Sequence, residues 1–400
     1  MEKKLIYLDN NATTRVDDDV YEAMLPYFKE EYANPSSMYQ FATKASSAVK
    51  EAREQVKEFF NAKDSKEIIF TSCGSESANT AIRGVLNMNK NKKHIITSKV
   101  EHPCVLNVYR TLEKQGYKVD YIGVNSNGEL DLEQLNDAIC DDTALVAIMY
   151  ANNETGVINP IPKISEIIKK KNPNTKFFVD AVQVAGKIPI DVQECGVDLM
   201  GVSGHKFHAP KGIGALYVNS KTIITPLIIG GHQERGKRAG TENVPYIVGL
   251  GVACDKARSN LTYETTEVKR LRDKLENGIL KNVFNARLNT GLANRVPNTT
   301  NIGFEYIEGE LILLHLSDLG ICASSGSACT SGSLEPSHVL RAMNVPFTAI
   351  HGSIRFSLSK YTTENDIDYV NSVLPGIIEK IRNLSPYQEE LAELKRRKNL

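Results

Sequence analysis

Lys206 sits in Ser203-Gly-His-Lys-Phe-His-Ala-Pro-Lys-Gly212, directly after the apolar run Asp198–Ser203. A lysine at a strand end, flanked by Gly, His and Phe and with an acidic residue one strand away, can lose its proton and condense with an aldehyde. The acidic residue is Asp180, which closes the run Phe177–Asp180. At the carboxyl edge of a parallel sheet it would be partly buried, and a buried carboxylate calls for a cation such as Arg, Lys or a protonated ring nitrogen. A surface lysine and a helix-capping aspartate are the plainer readings, and either segment alone leaves them open. In Thr71-Ser-Cys-Gly-Ser-Glu-Ser-Ala-Asn79 a strand gives way to a helix through small residues. Unpaired N–H groups and the positive helix end could hold an anion there, with Gly74 allowing close approach and Ser75 adding a hydroxyl; simple capping is the alternative.

An amine, a carboxylate and an anion cradle are together the three fixed points that pyridoxal phosphate requires. His102, in Glu101–Leu106, would share their rim and could stack on the ring and shuttle protons, or merely start a helix before Pro103. Farther along, Ala323–Ser333 surrounds Cys329 with small residues that cannot pack a core, which reads as a mobile loop with an accessible thiol or as a Ser/Gly linker. Arg355, in Ser353–Ser357, could offer a guanidinium fork to a substrate carboxylate or pair with a neighbouring acid.

These residues must be positioned by an α/β scaffold. Glu67–Thr71, His94–Ser98, Lys118–Gly123, Ala144–Tyr150, Phe177–Asp180, Asp198–Ser203 and Gly214–Val218 read as strands, most of them continuous apolar runs. Such runs suit a mainly parallel sheet covered on both faces. Phe41, Ala45, Ala48, Val49, Ala52, Val56, Phe59 and Phe60 form the stripe of an amphipathic helix. A helical pattern from Tyr246 to Gly278, interrupted near Leu261–Tyr263, marks a boundary. It separates a large unit that ends at 260 from a smaller α+β unit, 261–400, with strands at Thr299–Glu305 and Ser353–Ser359 and a charged, solvated tail helix from Tyr387.

Composition narrows the partners. Lys+Arg and Asp+Glu both number 48, so no basic excess drives contact with nucleic acid or an acidic membrane. Met1–Asp9 lacks the apolar stretch of a signal peptide, and no run approaches the length needed to span a bilayer. Seven cysteines without a CxxC pair fit reduced thiols in the cytoplasm and argue against a structural metal site.

Across nearly its whole length the sequence resembles the NifS-like cysteine desulfurases of the class-V aminotransferase family. The resemblance rests on Tyr7–Thr14, Ala151–Gly156, Gly204-His-Lys206, Gly230–Gly236, Arg238–Asn243, Ser324–Gly332 and Glu335–His338; His208-Ala-Pro210 favours the nitrogen-fixation type. It implies the fold type I of pyridoxal-phosphate transferases, with a mainly parallel seven-stranded sheet in a large cofactor-binding domain, 15–260, and a smaller α+β domain made of 1–14 and 261–400. It further implies a cysteine desulfurase that converts L-cysteine to L-alanine and leaves a persulfide on Cys329. Lys206 would bond the cofactor, His102 would stack on its ring and move protons, Asp180 would pair with its nitrogen and Gln183 would bond its phenolic oxygen. Gly74, Ser75, Ser203 and His205 would hold the phosphate, Gly204 would also contact the cofactor, Thr241 would reach the phosphate of the partner subunit in a homodimer, and Asn153 and Arg355 would grip the substrate carboxylate, with Asn153 also close to the cofactor. The sulfur would pass to a scaffold protein for iron–sulfur clusters, NifU- or IscU-like, in nitrogenase or general assembly.

Three other readings compete. Aminotransfer or selenocysteine lysis would keep the cofactor, a non-catalytic scaffold would keep only the fold, and a Cys–His hydrolase would pair Cys329 with His338. The last explains neither Lys206 nor the Gly74–Ser75 cradle.

Overall fold

The computed structural model describes residues 4–325 and 336–398. Its strands, in chain order, are β1 (Ile6–Tyr7), β2 (Ile68–Thr71), β3 (His94–Ser98), β4 (Lys118–Ile122), β5 (Thr143–Met149), β6 (Lys176–Asp180), β7 (Leu199–Ser203), β8 (Gly214–Val218), β9 (Ala286–Leu288), β10 (Thr299–Phe304), β11 (Ile321–Cys322) and β12 (Ser353–Ser357). Seven of them form one sheet in the order β2-β8-β7-β6-β5-β3-β4, matching the seven runs read from sequence. Only β8 opposes its neighbours; the other six strands share one direction. Every residue of β2, β3, β5, β7 and β8 is buried, as helices on both faces require, whereas the edge strand β4 is partly exposed. The shared direction brings the carboxyl ends of β2, β3, β5, β6 and β7 to one edge, where open α/β sheets bind ligands.

The helix Thr43–Phe60 buries Ala45, Ala48, Val49, Ala52, Val56, Phe59 and Phe60 against this sheet. Phe41 departs from the expected stripe: it lies in the preceding turn, is exposed and packs edge-on against Tyr32. The expected interruption near Leu261 is not a break. The helix Val244–Tyr263 runs through a π-helical turn, Glu264–Val268, into the helix Lys269–Asn282, and the wider turn keeps the chain helical while shifting its register.

A second core gathers Val268, Leu271, Leu275, Ile302, Phe304, Ile354, Phe356, Ile367 and Val370 with Ile6 and Leu8. It rests on the antiparallel sheet β12-β10-β9 and on β1, which pairs in parallel with β11. The start of the chain is thus held by residues more than three hundred positions away, and Asp9 continues the contact by bridging Ser357. The tail forms the helix Gln388–Lys398 and is not wholly solvated: Leu391 is buried and Lys395 lies over the Phe284 ring.

Candidate active site

The segments that leave the carboxyl edge of the large sheet enclose a cleft of about 380 Å³. After β2 it is lined by Cys73, Gly74 and Ser75, after β3 by His102 and Cys104, and at the ends of β5, β6 and β7 by Asn153, by Asp180 and Gln183, and by Ser203, His205 and Lys206. Asn11 and Ala12 close one side and Arg355 of β12 another. Ten of the residues expected from sequence therefore meet in one cavity: Gly74, Ser75, His102, Asn153, Asp180, Gln183, Ser203, His205, Lys206 and Arg355. Gly204 lies buried beneath it, where a Cβ would come within 2.9 Å of the Ala209 side chain. Thr241 is exposed and does not line this chain's cleft. Cys329, with 326–333 of the loop expected around it, lies outside the described residues; Ser324, at the start of that stretch, bridges Arg355.

Lys206 Nζ donates to the carbonyls of Asn11 at 2.7 Å and Ala12 at 2.8 Å. Asp180 accepts from the Val182 N–H at 3.0 Å and faces the Cys104 thiol at 3.9 Å. Burial pushes its carboxyl upward, against the pull of His102 and Lys206. His102 caps the helix Pro103–Lys114 through Nδ1, which accepts from the Cys104 N–H at 3.2 Å. Burial holds its imidazole below the ordinary range, so the ring is neutral at pH 7 with its proton on Nε2. His205 is lowered to about 4 by burial and the Lys206 charge, and its Nδ1 meets Thr13 Oγ1 at 3.1 Å. Capping and cleft lining thus coincide at His102, and the two readings of that residue are compatible.

Arg355 is almost fully buried, with one terminal nitrogen donating to Asp9 Oδ1 at 2.7 Å and the other to the Asn153 carbonyl at 2.9 Å. The pairing with an acid is therefore present, while Nε is buried without a hydrogen-bond partner in the cavity wall.

The donor set fits pyridoxal phosphate. Ser203 Oγ is buried without a partner, the helix Gly74–Met88 starts without a side-chain cap, and a Cβ on Gly74 would lie 2.9 Å from Val182 Cγ2. These are free donors around a close-approach point, as a phosphate needs, and Asp180 at the other side is a buried acid short of donors, as a protonated ring nitrogen needs.

The sequence profile of the class-V aminotransferases matches residues 6–370. The chain belongs to this family. Within it, a cysteine desulfurase of Nostoc sp. is 56% identical over 97% of this chain and 96% of its own length. The cysteine desulfurase NifS of Azotobacter vinelandii is 52% identical over 96% and 94%. A solved NifS-like protein superposes with a TM-score of 0.89 at 40% identity, covering 94% of this chain and all of that one. The fold is the type I fold of the family's pyridoxal-phosphate enzymes, and the chain is a NifS-like cysteine desulfurase by kinship.

Family membership also gives a physical reading of the Gly230–Asn243 motifs. Arg53 grips Glu234 with both terminal nitrogens, at 2.6 and 2.7 Å, and lies 4.4 Å over the Phe70 ring. Glu234 also accepts from the Phe70 N–H at 3.1 Å, and with Arg235 it holds a left-handed backbone conformation. Arg238 pairs at 3.0 Å with Glu76, in the first turn of the Gly74–Met88 helix. The segment leading to Thr241 is thereby tied to the helix that starts at Gly74. Arg53→Ala would leave Glu234 buried and unpaired, and is expected to cost about 3–5 kcal/mol in chemical denaturation; a loss below about 1 kcal/mol would show the pair to be dispensable.

Asn11 and Cys104 were not foreseen as cleft residues. Asn11 lies inside the Tyr7–Thr14 motif, which was the available signal; Cys104 follows His102 by two residues, so the helix that presents one presents the other.

Proposed function

We propose that this cleft removes sulfur from L-cysteine, releasing L-alanine and leaving a persulfide on Cys329. The observation that carries the reading is the meeting of Lys206, buried Asp180 and the unpartnered Ser203 hydroxyl in one cavity of a chain more than half identical to a curated cysteine desulfurase. Pyridoxal phosphate, when bound, supplies an electron sink beside the substrate's α-carbon that opens the substrate sulfur to thiolate attack.

The chain's own groups then have distinct tasks. Gly74, Ser75, Ser203 and His205 would hold the phosphate, with Thr241 contributed across a homodimer, Asp180 would hold the ring nitrogen's proton and Gln183 would meet the phenolic oxygen. Lys206 would hold the cofactor and exchange protons at Nζ, and His102 would stack on the ring and hold or pass a proton at Nε2. Arg355 and Asn153 would orient the substrate carboxylate. The substrate Cβ–S bond breaks, an S–S bond forms at Cys329, and a proton takes the place of sulfur on Cβ.

The receiver would be an iron–sulfur scaffold protein, NifU- or IscU-like, and the chain would act in the cytoplasm; the six cysteines among the described residues are free thiols, which suits a reducing compartment. The two units, 15–260 and 1–14 with 261–400, are supported by the separate core that unites Ile6 and Leu8 with residues beyond Val268.

The test is incubation of the purified, cofactor-loaded protein with L-cysteine and a reductant while alanine and sulfide are both quantified. Equal amounts of the two support the reading. Keto-acid formation without sulfide would replace it with aminotransfer.

A further inference from the structure

Lys187 has no task in the chemistry above, yet it stands directly behind the cleft. Its side chain is 5% exposed, in the apolar stretch Val182–Ile188. A buried ammonium needs partners, and Nζ donates to Gln183 Oε1 at 2.8 Å and to Asn11 Oδ1 at 3.0 Å. Lysine has donors only, so these bonds fix which way the Gln183 amide faces: its oxygen is taken up by Lys187. Nε2 of Gln183 gives one N–H to the Asn11 carbonyl at 3.1 Å, which leaves its second N–H for the cleft that Gln183 lines. The same Asn11 carbonyl accepts from Lys206 Nζ, and Asn298 Nδ2 donates to Asn11 Oδ1 at 3.2 Å. One hydrogen-bonded frame therefore joins Lys187, Asn11, Gln183 and Lys206.

The charges around Lys187 come from several elements. Lys206 and Arg355 oppose its charge from the cleft, while Glu264, in the π-helical turn, favours it. His208 feels Lys187, and Lys360, Lys256 and Asp17 line the same cavity of about 30 Å³ beneath Lys206. Burial pushes Lys187 down to about 7 and Glu264 up to about 7, while each draws the other back toward its charged form.

We propose that Lys187 is a positioning residue for the cofactor-holding lysine: it turns the Gln183 N–H donor toward the cleft, and its charge keeps a second positive charge from settling on the Lys206 nitrogen. The inference rests on Lys206 being the residue that bonds the cofactor.

The test is a pH titration of the holoenzyme's visible absorption, which reports protonation of the Lys206–cofactor bond independently of turnover. Lys187→Met removes both the charge and the hydrogen bonds, and the midpoint is expected to rise by about one pH unit, a tenfold gain in proton affinity. Lys187→Arg keeps the charge and is expected to restore most of the wild-type midpoint. Lys187→Gln, which fills the site with a neutral donor, is the second variant should the methionine protein fail to fold, and it too should raise the midpoint. Midpoints unmoved in both neutral variants would overturn the inference, even with lowered stability. A wild-type protein without a pH-dependent visible band, or a band that survives Lys206→Ala, would instead overturn the assignment of Lys206.

Discussion

Lys206→Ala is expected to lower alanine and sulfide formation by about 10³-fold or more, the upper range for one positioned acid–base group, and to abolish the pH-dependent visible band of the reconstituted protein. Among the described residues the amine is the one nitrogen in the cleft that combines a flexible stem with two backbone acceptors, the carbonyls of Asn11 and Ala12 at 2.7 and 2.8 Å. Those acceptors hold Nζ beside Asp180 and His102, both of which feel its charge. Removing it leaves the Asn11 carbonyl still bonded to Gln183, so the frame of the site and the melting transition should survive. Loss of activity with retained folding supports the role; a variant that turns over within tenfold of wild type would exclude it.

Cys329→Ala is expected to abolish sulfide release while leaving the visible band and its response to L-cysteine in place. The thiols that line the cleft, Cys73 and Cys104, are poor substitutes. Burial, reinforced by Asp180 and Glu101, pushes the Cys104 thiol far above its ordinary range, so it stays protonated and unreactive at pH 7. Cys73 precedes the Gly74–Met88 helix, beside the donors that suit a phosphate. Cys140→Ala, an exposed thiol joined to the opposite end of β5, is the control and should behave as wild type. Sulfide release retained by Cys329→Ala would return the reaction to a thiol-independent lysis.

The large sheet was legible because fully buried strands write themselves as continuous apolar runs, and the residues that close those runs, Asp180 and Ser203 among them, necessarily come to one edge. Lys206 and Gly74 could be placed for the same reason, since each follows a strand end by three residues. Pairings between distant segments left no such trace. Ile6–Tyr7 is too short to show a period, and its partner Ile321–Cys322 is equally short. The bond between Arg355 and Asp9 depends on that pairing, so sequence could offer two fates for the guanidinium without choosing. The π turn at Glu264–Val268 looked like an interruption because an added residue breaks the 3.6-residue rhythm without ending the helix. Lys187 was hidden for another reason: an apolar stretch with one lysine reads as a surface turn unless the acceptors that draw it inward, Gln183 and Asn11, are seen together.

The central claim, that sulfur passes from L-cysteine to Cys329 in this cleft, is tested most directly by peptide mass spectrometry of the protein after a single turnover with L-cysteine and no reductant. The account predicts one additional sulfur atom, reversible by thiol reductant, on the peptide that carries Cys329, in step with one alanine formed. Alanine formed with no sulfur gained, or sulfur found on a different cysteine while Cys329 stays unmodified, would contradict it.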